Sequence, residues 1–205
     1  MTSATATAQK KSPISGYKTG NPDDYDTPLP RNQPVGYVKA IAAEMSRRAC
    51  YAPDEKISDM LDRLGGKLVE LADMPHPYQH ARSCIIVEGR RDFTIYTLEL
   101  SETQRRRFDI AHELGHYILH YLLPHSKNEA DAPKKLRAGR EPGGYEESEA
   151  NWFAMAFLIT DAAFLQKYDE FYGNKFLLAD YFRVTPSTIV SYGKSLGKFV
   201  EEAPE

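Results

Sequence analysis

The sequence predicts an α+β fold in which a small antiparallel sheet is flanked by helices. Three runs rich in β-branched and aromatic residues follow one another at 67–72, 83–88 and 92–100. Only the short turn 89–91 separates the last two runs, which indicates a hairpin. On both sides of these runs, apolar residues recur at helical spacing. Strands grouped in one part of a chain, with helices before and after them, are typical of the α+β class.

Composition and charge narrow the class of protein. The chain has 205 residues, of which 41% are hydrophobic and 27% charged, proportions typical of a globular protein with one sizeable core. A net charge of −3 favours neither nucleic acid nor an anionic membrane as a partner. Two cysteines, Cys50 and Cys84, are too few for a disulfide framework. The chain shows no signal peptide and no run of roughly 20 apolar residues, so we expect a cytoplasmic protein.

Three parts of the chain differ in composition. Residues 1–33 are rich in Ser, Thr, Pro, Gly and Asp and bury too little apolar surface to offset their ordering entropy, which predicts a flexible tail. Residues 34–160 contain the predicted sheet and the most apolar helices, and we interpret them as the domain that carries the functional site. Residues 161–205 are predicted to form a C-terminal helical segment packed on that domain.

Helices are predicted from capping residues, helix breakers and periodicity. The helix after the sheet begins with a capping-box pattern at Ser101 and Gln104, is apolar on nearly every side over 108–123, and is predicted to end at Pro124. The polar, basic segment 124–144 that follows is predicted to be a solvated loop. The other predicted helices cover 34–49, 54–64, 145–159, 161–172, 175–182 and 186–196.

The strongest chemical signal is the H-E-x-x-H pattern of His112, Glu113 and His116. Residues four apart on a helix project from one face, so the two imidazoles can reach a single ion. Zinc suits such a pair because it is redox-inert and tolerates the open position that a hydrolase needs. Glu113 lies next to the first ligand, where its carboxylate can take a proton from water activated by the metal. Without partners, these groups would be costly on a buried helix, so the pattern predicts a zinc hydrolase site.

A third protein ligand must come from outside this motif. His120 continues the row of histidines, but eight residues place it roughly 12 Å along the helix axis from His112, which is too far for a zinc–nitrogen bond of about 2 Å. We therefore expect His120 to be a core residue or to support a ligand. The remaining source is the acidic start of the next helix, and periodicity leaves open which carboxylate it supplies: Glu146, Glu147 or Glu149.

Two segments together resemble a known family. RRRFDIAHELGHYILH, followed by ESEANWFAMAFL, is similar to the ImmA/IrrE metallopeptidases, a zincin family whose third zinc ligand is a Glu. The resemblance implies a zincin-like domain in which Glu147 completes the zinc site of His112 and His116. It also implies that Asn151 accepts a hydrogen bond from a ligand imidazole, with Glu149 as the alternative ligand.

The same resemblance implies a substrate class. Members of this family typically cut, or otherwise inactivate, a partner transcriptional repressor of the helix-turn-helix type, in stress responses, mobile elements and phage defence. We therefore expect a zinc-dependent endopeptidase that cleaves such a repressor and relieves repression, with Tyr117 or Tyr145 as a candidate donor to the oxyanion. Thr160 stands where the family often has proline, which we expect to change only the exit from the helix.

An alternative from another class is a non-proteolytic regulator in which zinc fixes a fold that binds a repressor or DNA. Glu113 favours the enzyme, because a structural zinc needs no base and usually has all four positions filled.

Residues 178–197 resemble the helix-turn-helix-like tail of the family, but their exposed face is barely basic, so a packed helical pair is favoured over direct DNA binding. Cys84 could occupy an open zinc position, although a small buried hydrophobe is the favoured interpretation.

Overall fold

The computed structural model describes residues 24–74, 78–98, 103–127, 133–139 and 144–198. This part of the chain is a sheet with helices around it, which confirms the predicted α+β class. The strands are β1 (Gly66–Leu71), β2 (Ser83–Gly89), β3 (Asp92–Leu98) and β4 (Leu136–Gly139). The helices are α1 (Val35–Arg48), α2 (Ile57–Leu64), α3 (Thr103–Gly115), a π-helical stretch (His116–Leu122), α4 (Leu123–Lys127), α5 (Tyr145–Leu158), α6 (Asp161–Glu170), α7 (Lys175–Phe182) and α8 (Pro186–Ser195).

The sheet is mixed, with the strand order β1-β3-β2-β4. The predicted hairpin of β2 and β3 is confirmed, since Ile85 pairs with Ile95 in antiparallel register. β4 adds antiparallel to the outer edge of β2, whereas β1 pairs in parallel with β3, where Leu68 lies beside Ile95. The prediction of an antiparallel sheet is therefore wrong for β1. β4 occupies the outer edge of β2, and β1 lies on the other side of β3, where it runs opposite to β2 and therefore parallel to β3.

The segment 124–144, predicted to be a loop, contains most of α4 and all of β4. The residues Leu136–Gly139 are buried, including Arg137, which is only 8% exposed. Their strand conformation comes from pairing with β2 rather than from a strand-like pattern, because the run is short and follows Lys134 and Lys135. The prediction of a solvated loop is therefore wrong for this strand.

The helix that carries the H-E-x-x-H motif does not end at Pro124 as predicted. After α3 the chain widens into the π-helical stretch, where the N–H of Leu123 donates to the carbonyl of Ile118, five residues back. Pro124 then falls in the first turn of α4, where a missing N–H costs little, and the helix continues to Lys127. The predicted cap at Ser101 lies outside the described residues.

Part of the predicted N-terminal tail is bound to the sheet. The N–H of Asp26 donates to the carbonyl of Lys135 (3.0 Å), and the N–H of Arg137 donates to the carbonyl of Asp26 (2.9 Å). Backbone pairing of this kind does not depend on apolar side chains, which is why composition does not reveal it. The prediction of a tail is therefore wrong for residues 24–33, while residues 1–23 lie outside the described part of the chain.

The helix α3 runs through the centre of the fold, packed against both β2 and α5. Every residue over 109–121 is buried, in agreement with the predicted apolar surface of this helix. At Gly115 the two helices come very close, because a Cβ there would lie 3.1 Å from the Cα of Ala150 and 3.2 Å from the Cβ of Phe153. The missing side chain therefore lets α3 approach the backbone of α5.

The C-terminal helices share the core of the rest of the fold. Ile189 and Tyr192 of α8 are buried in the same hydrophobic cluster as Val38 of α1. Thr185 caps α8, since its hydroxyl accepts a hydrogen bond from the N–H of Thr188 (3.3 Å). The placement of a domain boundary before this segment stays a prediction.

Short helices follow α5. The hydroxyl of Thr160 accepts a hydrogen bond from the N–H of Ala163 (3.4 Å) and so caps α6. The residue that departs from the family's proline therefore starts a new helix directly after the exit from α5.

Of the helices that the structure describes, none combines the length and the apolar character that crossing a bilayer requires.

Substitution of Gly115 tests the close contact between α3 and α5. In Gly115→Val the added side chain pushes against the backbone of α5, so we expect the free energy of unfolding to fall by about 1–3 kcal/mol, the usual cost of overpacking. Gly36→Val in α1 is the matched control, because nothing lies within 4 Å of a Cβ at that position, and it should change the free energy by less than about 0.5 kcal/mol. Urea denaturation followed by circular dichroism measures both, and equal effects would contradict the contact.

Candidate metal centre

Two imidazoles and one carboxylate converge between α3 and α5. His112 and His116 project from the same face of the helix, with their Nε2 atoms 3.1 Å apart. The carboxylate of Glu147 places Oε2 3.2 Å from Nε2 of His112 and Oε1 3.1 Å from Nε2 of His116. These are the three residues predicted as ligands, and the structure brings them into one group whose donor atoms all lie within 4.8 Å of one another.

The position of Glu147 follows from the approach of the two helices. Glu147 lies in the first turn of α5, where the helix dipole favours a carboxylate. It comes three residues before Ala150, so the two share a face of the helix, and Ala150 is the residue that Gly115 contacts. The close packing of the two helices at Gly115 therefore places Glu147 next to the two histidines.

The separations within this group fit a tetrahedral metal ion. Ligands about 2.0–2.1 Å from a zinc ion lie about 3.3–3.4 Å from one another at tetrahedral angles. The two Nε2 atoms are 3.1 Å apart, and each lies 3.1–3.2 Å from a different oxygen of Glu147. His112 and His116 have no exposed surface, and Glu147 is only 9% exposed. Among the described residues, no fourth His, Cys, Asp or Glu joins the group, so His112, His116 and Glu147 are the residues that would hold the ion.

A hydrogen bond selects the tautomer of His112. Its Nδ1 lies 3.0 Å from Oδ1 of Asn151, and because that oxygen only accepts, Nδ1 carries the proton and donates it. In the neutral ring, Nε2 then holds a lone pair that points into the group. The structure thus places Asn151 where the family resemblance implies a partner for a ligand imidazole.

Two hydrogen bonds in series connect His116 to His120 and His120 to Glu149. Its Nδ1 lies 3.0 Å from Nδ1 of His120, and Nε2 of His120 lies 3.2 Å from Oε2 of Glu149. Because a carboxylate only accepts, neutral His120 carries its proton on Nε2, and its Nδ1 accepts from Nδ1 of His116. His116 therefore also presents an unprotonated Nε2.

The three converging groups are thus all electron-pair donors. Burial lowers the pKa of His116 to about 3, so this imidazole is neutral at physiological pH. Two imidazole lone pairs and a carboxylate at 3.1–3.2 Å repel one another, and a cation placed between them would remove the repulsion. The residues present therefore fit a divalent metal ion.

Glu113, the predicted base, follows His112 in the chain, is fully buried and interacts electrostatically with His112 and Glu147. Its Oε1 accepts a hydrogen bond from the hydroxyl of Ser83 at 2.7 Å, while its Oε2 is buried and has no hydrogen-bond partner among the described residues. Burial raises the pKa of Glu113 to about 7, although His112 and Ser83 act in the opposite direction. A carboxylate with a near-neutral pKa and one oxygen without a partner can take up a proton in the site.

Ser83 is a site residue that the sequence analysis did not single out. It is the first residue of β2 and is fully buried. Its neighbour Arg82 bonds to Asp109 (3.1 Å), which ties the start of β2 to α3 one turn before Glu113. A polar residue opening the apolar run 83–88 was the available signal, but the sequence does not show which helix that residue faces.

The π-helical stretch begins at a predicted ligand, and no residue pattern marks it. Within it the rings of His116 and His120 lie 5.1 Å apart between centroids. His120 therefore stands behind His116 and outside the ligand group, in line with the expectation that it supports a ligand. Wide turns of this kind occur frequently at functional sites, and the packing of the helix rather than its composition produces them.

The other candidate ligands lie outside the group. Glu149, left open as an alternative to Glu147, directs its carboxylate to His120 instead. Glu146 is only partly buried. Cys84 is buried in the smaller of the two apolar clusters, and burial raises the pKa of its thiol, as does the charge of nearby Glu113. A neutral, buried thiol agrees with the interpretation of Cys84 as a small hydrophobe.

The two tyrosines proposed as oxyanion donors differ in position. Tyr117 is buried, stacks on Phe93 with ring centroids 4.1 Å apart, and its hydroxyl accepts a hydrogen bond from the N–H of Arg91 (3.1 Å). These contacts give Tyr117 a structural position. Tyr145 is 42% exposed, and its hydroxyl lies 3.5 Å from the carbonyl of Gln33. Of the two, Tyr145 is the one with an exposed side chain, although its ring packs edge-on against Trp152.

Comparisons with known proteins point to a family and a fold. The model of a peptidase family, described as the IrrE N-terminal-like domain, matches residues 87–191, just over half of the 205-residue chain. A solved structure of a Mycobacterium tuberculosis transcriptional regulator is similar in fold, with 20% sequence identity and a TM-score of 0.53, over 76% of this chain and 46% of that chain. This chain thus spans less than half the length of that regulator. No curated protein sequence gives a significant match.

The geometry predicts one divalent metal ion per chain. His116→Ala removes one of the three donors, so the bound metal should fall from about one equivalent to a small fraction of an equivalent, because a catalytic site keeps three protein ligands. His125→Ala is the matched control, since Nδ1 of His125 bonds to the carbonyl of Tyr121 (2.7 Å) outside the group, and it should keep the metal. Elemental analysis by mass spectrometry after zinc loading and gel filtration measures both. A wild-type chain that retains no metal would contradict the site.

Proposed function

The chain belongs to the IrrE N-terminal-like domain family of peptidases, and we propose that it is a zinc-dependent endopeptidase that cleaves a partner transcriptional repressor of the helix-turn-helix type. In this proposal His112, His116 and Glu147 bind the zinc, and Glu113 is the general base. Cleavage relieves repression of the genes that the partner controls. The site of action is the cytoplasm, where such repressors work.

The placement of Glu113 is the observation that carries the proposal. A zinc ion that only holds a fold together needs no base beside it and usually has four protein ligands. Here a buried carboxylate lies next to three candidate ligands, with Ser83 on one of its oxygens and no partner on the other among the described residues. This combination supports hydrolysis over a purely structural metal site.

Zinc is the metal that suits the donor set. Two imidazole nitrogens and one carboxylate form a ligand set that recurs in catalytic zinc sites. Magnesium prefers six oxygen ligands in octahedral geometry, which three donors of this kind do not offer. Hydrolysis requires no change of oxidation state, so a redox-inert ion is sufficient.

The residues of the site have separate roles in peptide hydrolysis. Zinc, when bound, supplies a Lewis acid that acidifies water and polarises the scissile carbonyl. Glu113 takes a proton from the attacking water at Oε2 while the water oxygen bonds to the carbonyl carbon. It then delivers the proton to the leaving nitrogen as the C–N bond breaks. Ser83 holds Oε1 of Glu113 during both transfers.

The proposed substrate rests on family resemblance and on charge. The motif segments resemble the ImmA/IrrE metallopeptidases, whose members act on helix-turn-helix repressors. The net charge of −3 gives the chain no electrostatic attraction to nucleic acid, which favours a protein as the direct partner. The regulator of similar fold carries a transcriptional role in its own name, and that name describes only that protein.

Substitution of Glu113 separates metal binding from chemistry. Glu113→Gln keeps the shape of the side chain and its hydrogen bond to Ser83 but cannot take up a proton. We expect the zinc content to stay at one equivalent, while cleavage of the repressor slows by at least about 100-fold, the usual contribution of a positioned base. The substrate to test is any helix-turn-helix repressor encoded next to the gene, and cleavage is followed by gel electrophoresis and mass spectrometry of the fragments.

Two outcomes would contradict parts of the proposal. If Glu113→Gln cleaves the repressor at the wild-type rate, Glu113 is not the base. If the zinc-loaded wild type binds the repressor without cutting it, the chain acts as a non-proteolytic regulator. Glu146→Gln is the matched control on α5, because Glu146 lies outside the ligand group, and it should change neither zinc content nor cleavage.

A further inference from the structure

A turn in the N-terminal segment holds the carboxylate that stands behind the candidate metal centre. The N–H groups of Arg31 and Gln33 donate to Oε2 and Oε1 of Glu149, both at 2.9 Å. Between them Asn32 has a positive φ of 52°, which turns the two N–H groups to the same side. N–H groups arranged in this way form a concave anion site called a nest, and we use that name for residues 31–33.

The nest depends on a residue that takes no part in the core. The side chain of Asn32 is exposed, and its left-handed conformation is one that Asn and Gly adopt readily and β-branched residues avoid. The side chain of Gln33 closes the turn by donating from Nε2 to the carbonyl of Arg31 (2.9 Å). An exposed residue thus controls two hydrogen bonds to Glu149, which has no exposed surface.

The carboxylate of Glu149 orients a candidate metal ligand through two hydrogen bonds. It accepts a hydrogen bond from Nε2 of His120 (3.2 Å), and Nδ1 of His120 accepts from Nδ1 of His116 (3.0 Å). With Glu149 held in place, neutral His120 has a single tautomer, and therefore so does His116. One series of hydrogen bonds runs from the protein surface to the ring whose other nitrogen faces the metal position.

We propose that the nest is a positioning element of the metal centre: by holding Glu149, it fixes His120 and keeps the ring of His116 oriented with Nε2 aimed at the metal. This inference rests on the proposed function, since it takes His116 to be a zinc ligand. When the turn opens, Glu149 loses two N–H donors, His120 gains a second tautomer and orientation, and fewer His116 rings are ready to bind zinc. Outer partners of ligand imidazoles change metal affinity by about 10- to 100-fold.

A series of substitutions at Asn32 tests the nest without touching the metal ligands. Asn32→Val disfavours the left-handed turn, and we expect zinc to bind about 10-fold more weakly to the full chain, measured by competition with a chromophoric chelator. Asn32→Ala should have a smaller effect in the same direction. Asn32→Gly, which adopts the turn without strain, should bind zinc within about 2-fold of wild type. The visible absorption of the cobalt(II)-loaded protein reports ligand geometry and should change in the order Gly, Ala, Val.

A remote position controls for backbone strain. Tyr172 has the same φ of 52°, is 91% exposed and lies between α6 and α7. Tyr172→Val therefore introduces the same kind of strain away from the metal centre. It should leave the zinc affinity within about 2-fold of wild type, since the hydrogen bond described for Tyr172 goes to the carbonyl of Asp169 and not to the metal centre.

A second substitution tests transmission through His120. His120→Asn keeps an acceptor at the position of Nδ1 but does not reach Glu149, so in that background Asn32→Val should weaken zinc binding by less than about 2-fold. An equal loss in both backgrounds overturns the inference, because the effect would then be a general one. Unchanged affinity in Asn32→Val alone also overturns it, with Asn32→Ala taking its place if the Val variant does not fold. A wild-type chain that binds no zinc overturns the proposed function instead.

Discussion

Two imidazole nitrogens 3.1 Å apart inside the protein, each 3.1–3.2 Å from an oxygen of one carboxylate, are the constraint on which most of this structure depends. Such groups repel one another, so each must be fixed from behind by the fold. The histidines come from the central helix and the carboxylate from α5. The two helices can approach closely enough because Gly115 has no side chain where it meets the backbone of Ala150.

The polar groups around the donors are buried or partly buried, and they have partners. Asn151 supports His112, His120 supports His116, and Ser83 bonds to one oxygen of the neighbouring base. A buried polar group left without a partner costs about 1–3 kcal/mol, and these contacts avoid that cost. Within this group the exception is Oε2 of the base, the atom that carries the proton in the proposed mechanism. The destabilisation caused by an unpartnered buried oxygen therefore falls on the atom that takes part in the proposed reaction.

Prediction from the sequence succeeded where local spacing decides the outcome and failed where distant segments meet. The helical spacing of the H-E-x-x-H motif was enough to bring two imidazoles together. Choosing Glu147 over Glu149 required the family resemblance, because both are buried on opposite sides of an apolar helix and periodicity cannot tell which side faces the metal. The direction of β1, the strand β4, the contacts of residues 24–33 and the hydroxyl of Ser83 all depend on non-local pairing, which composition and periodicity do not report.

The length of chain between the nest and its carboxylate bears on how the protein matures. The two hydrogen bonds to Glu149 join residues 118 and 116 positions apart. They therefore form only after the chain has closed a loop of that size, which costs conformational entropy. In the proposed role of the nest, the metal-ready form of His116 is therefore a property of the finished fold and not of the motif helix when it first forms. That proposal implies that a nascent chain which has made this helix but has not yet docked its N-terminal segment competes weakly for zinc. It also implies that metal binding and completion of the fold are coupled in the biogenesis of the protein.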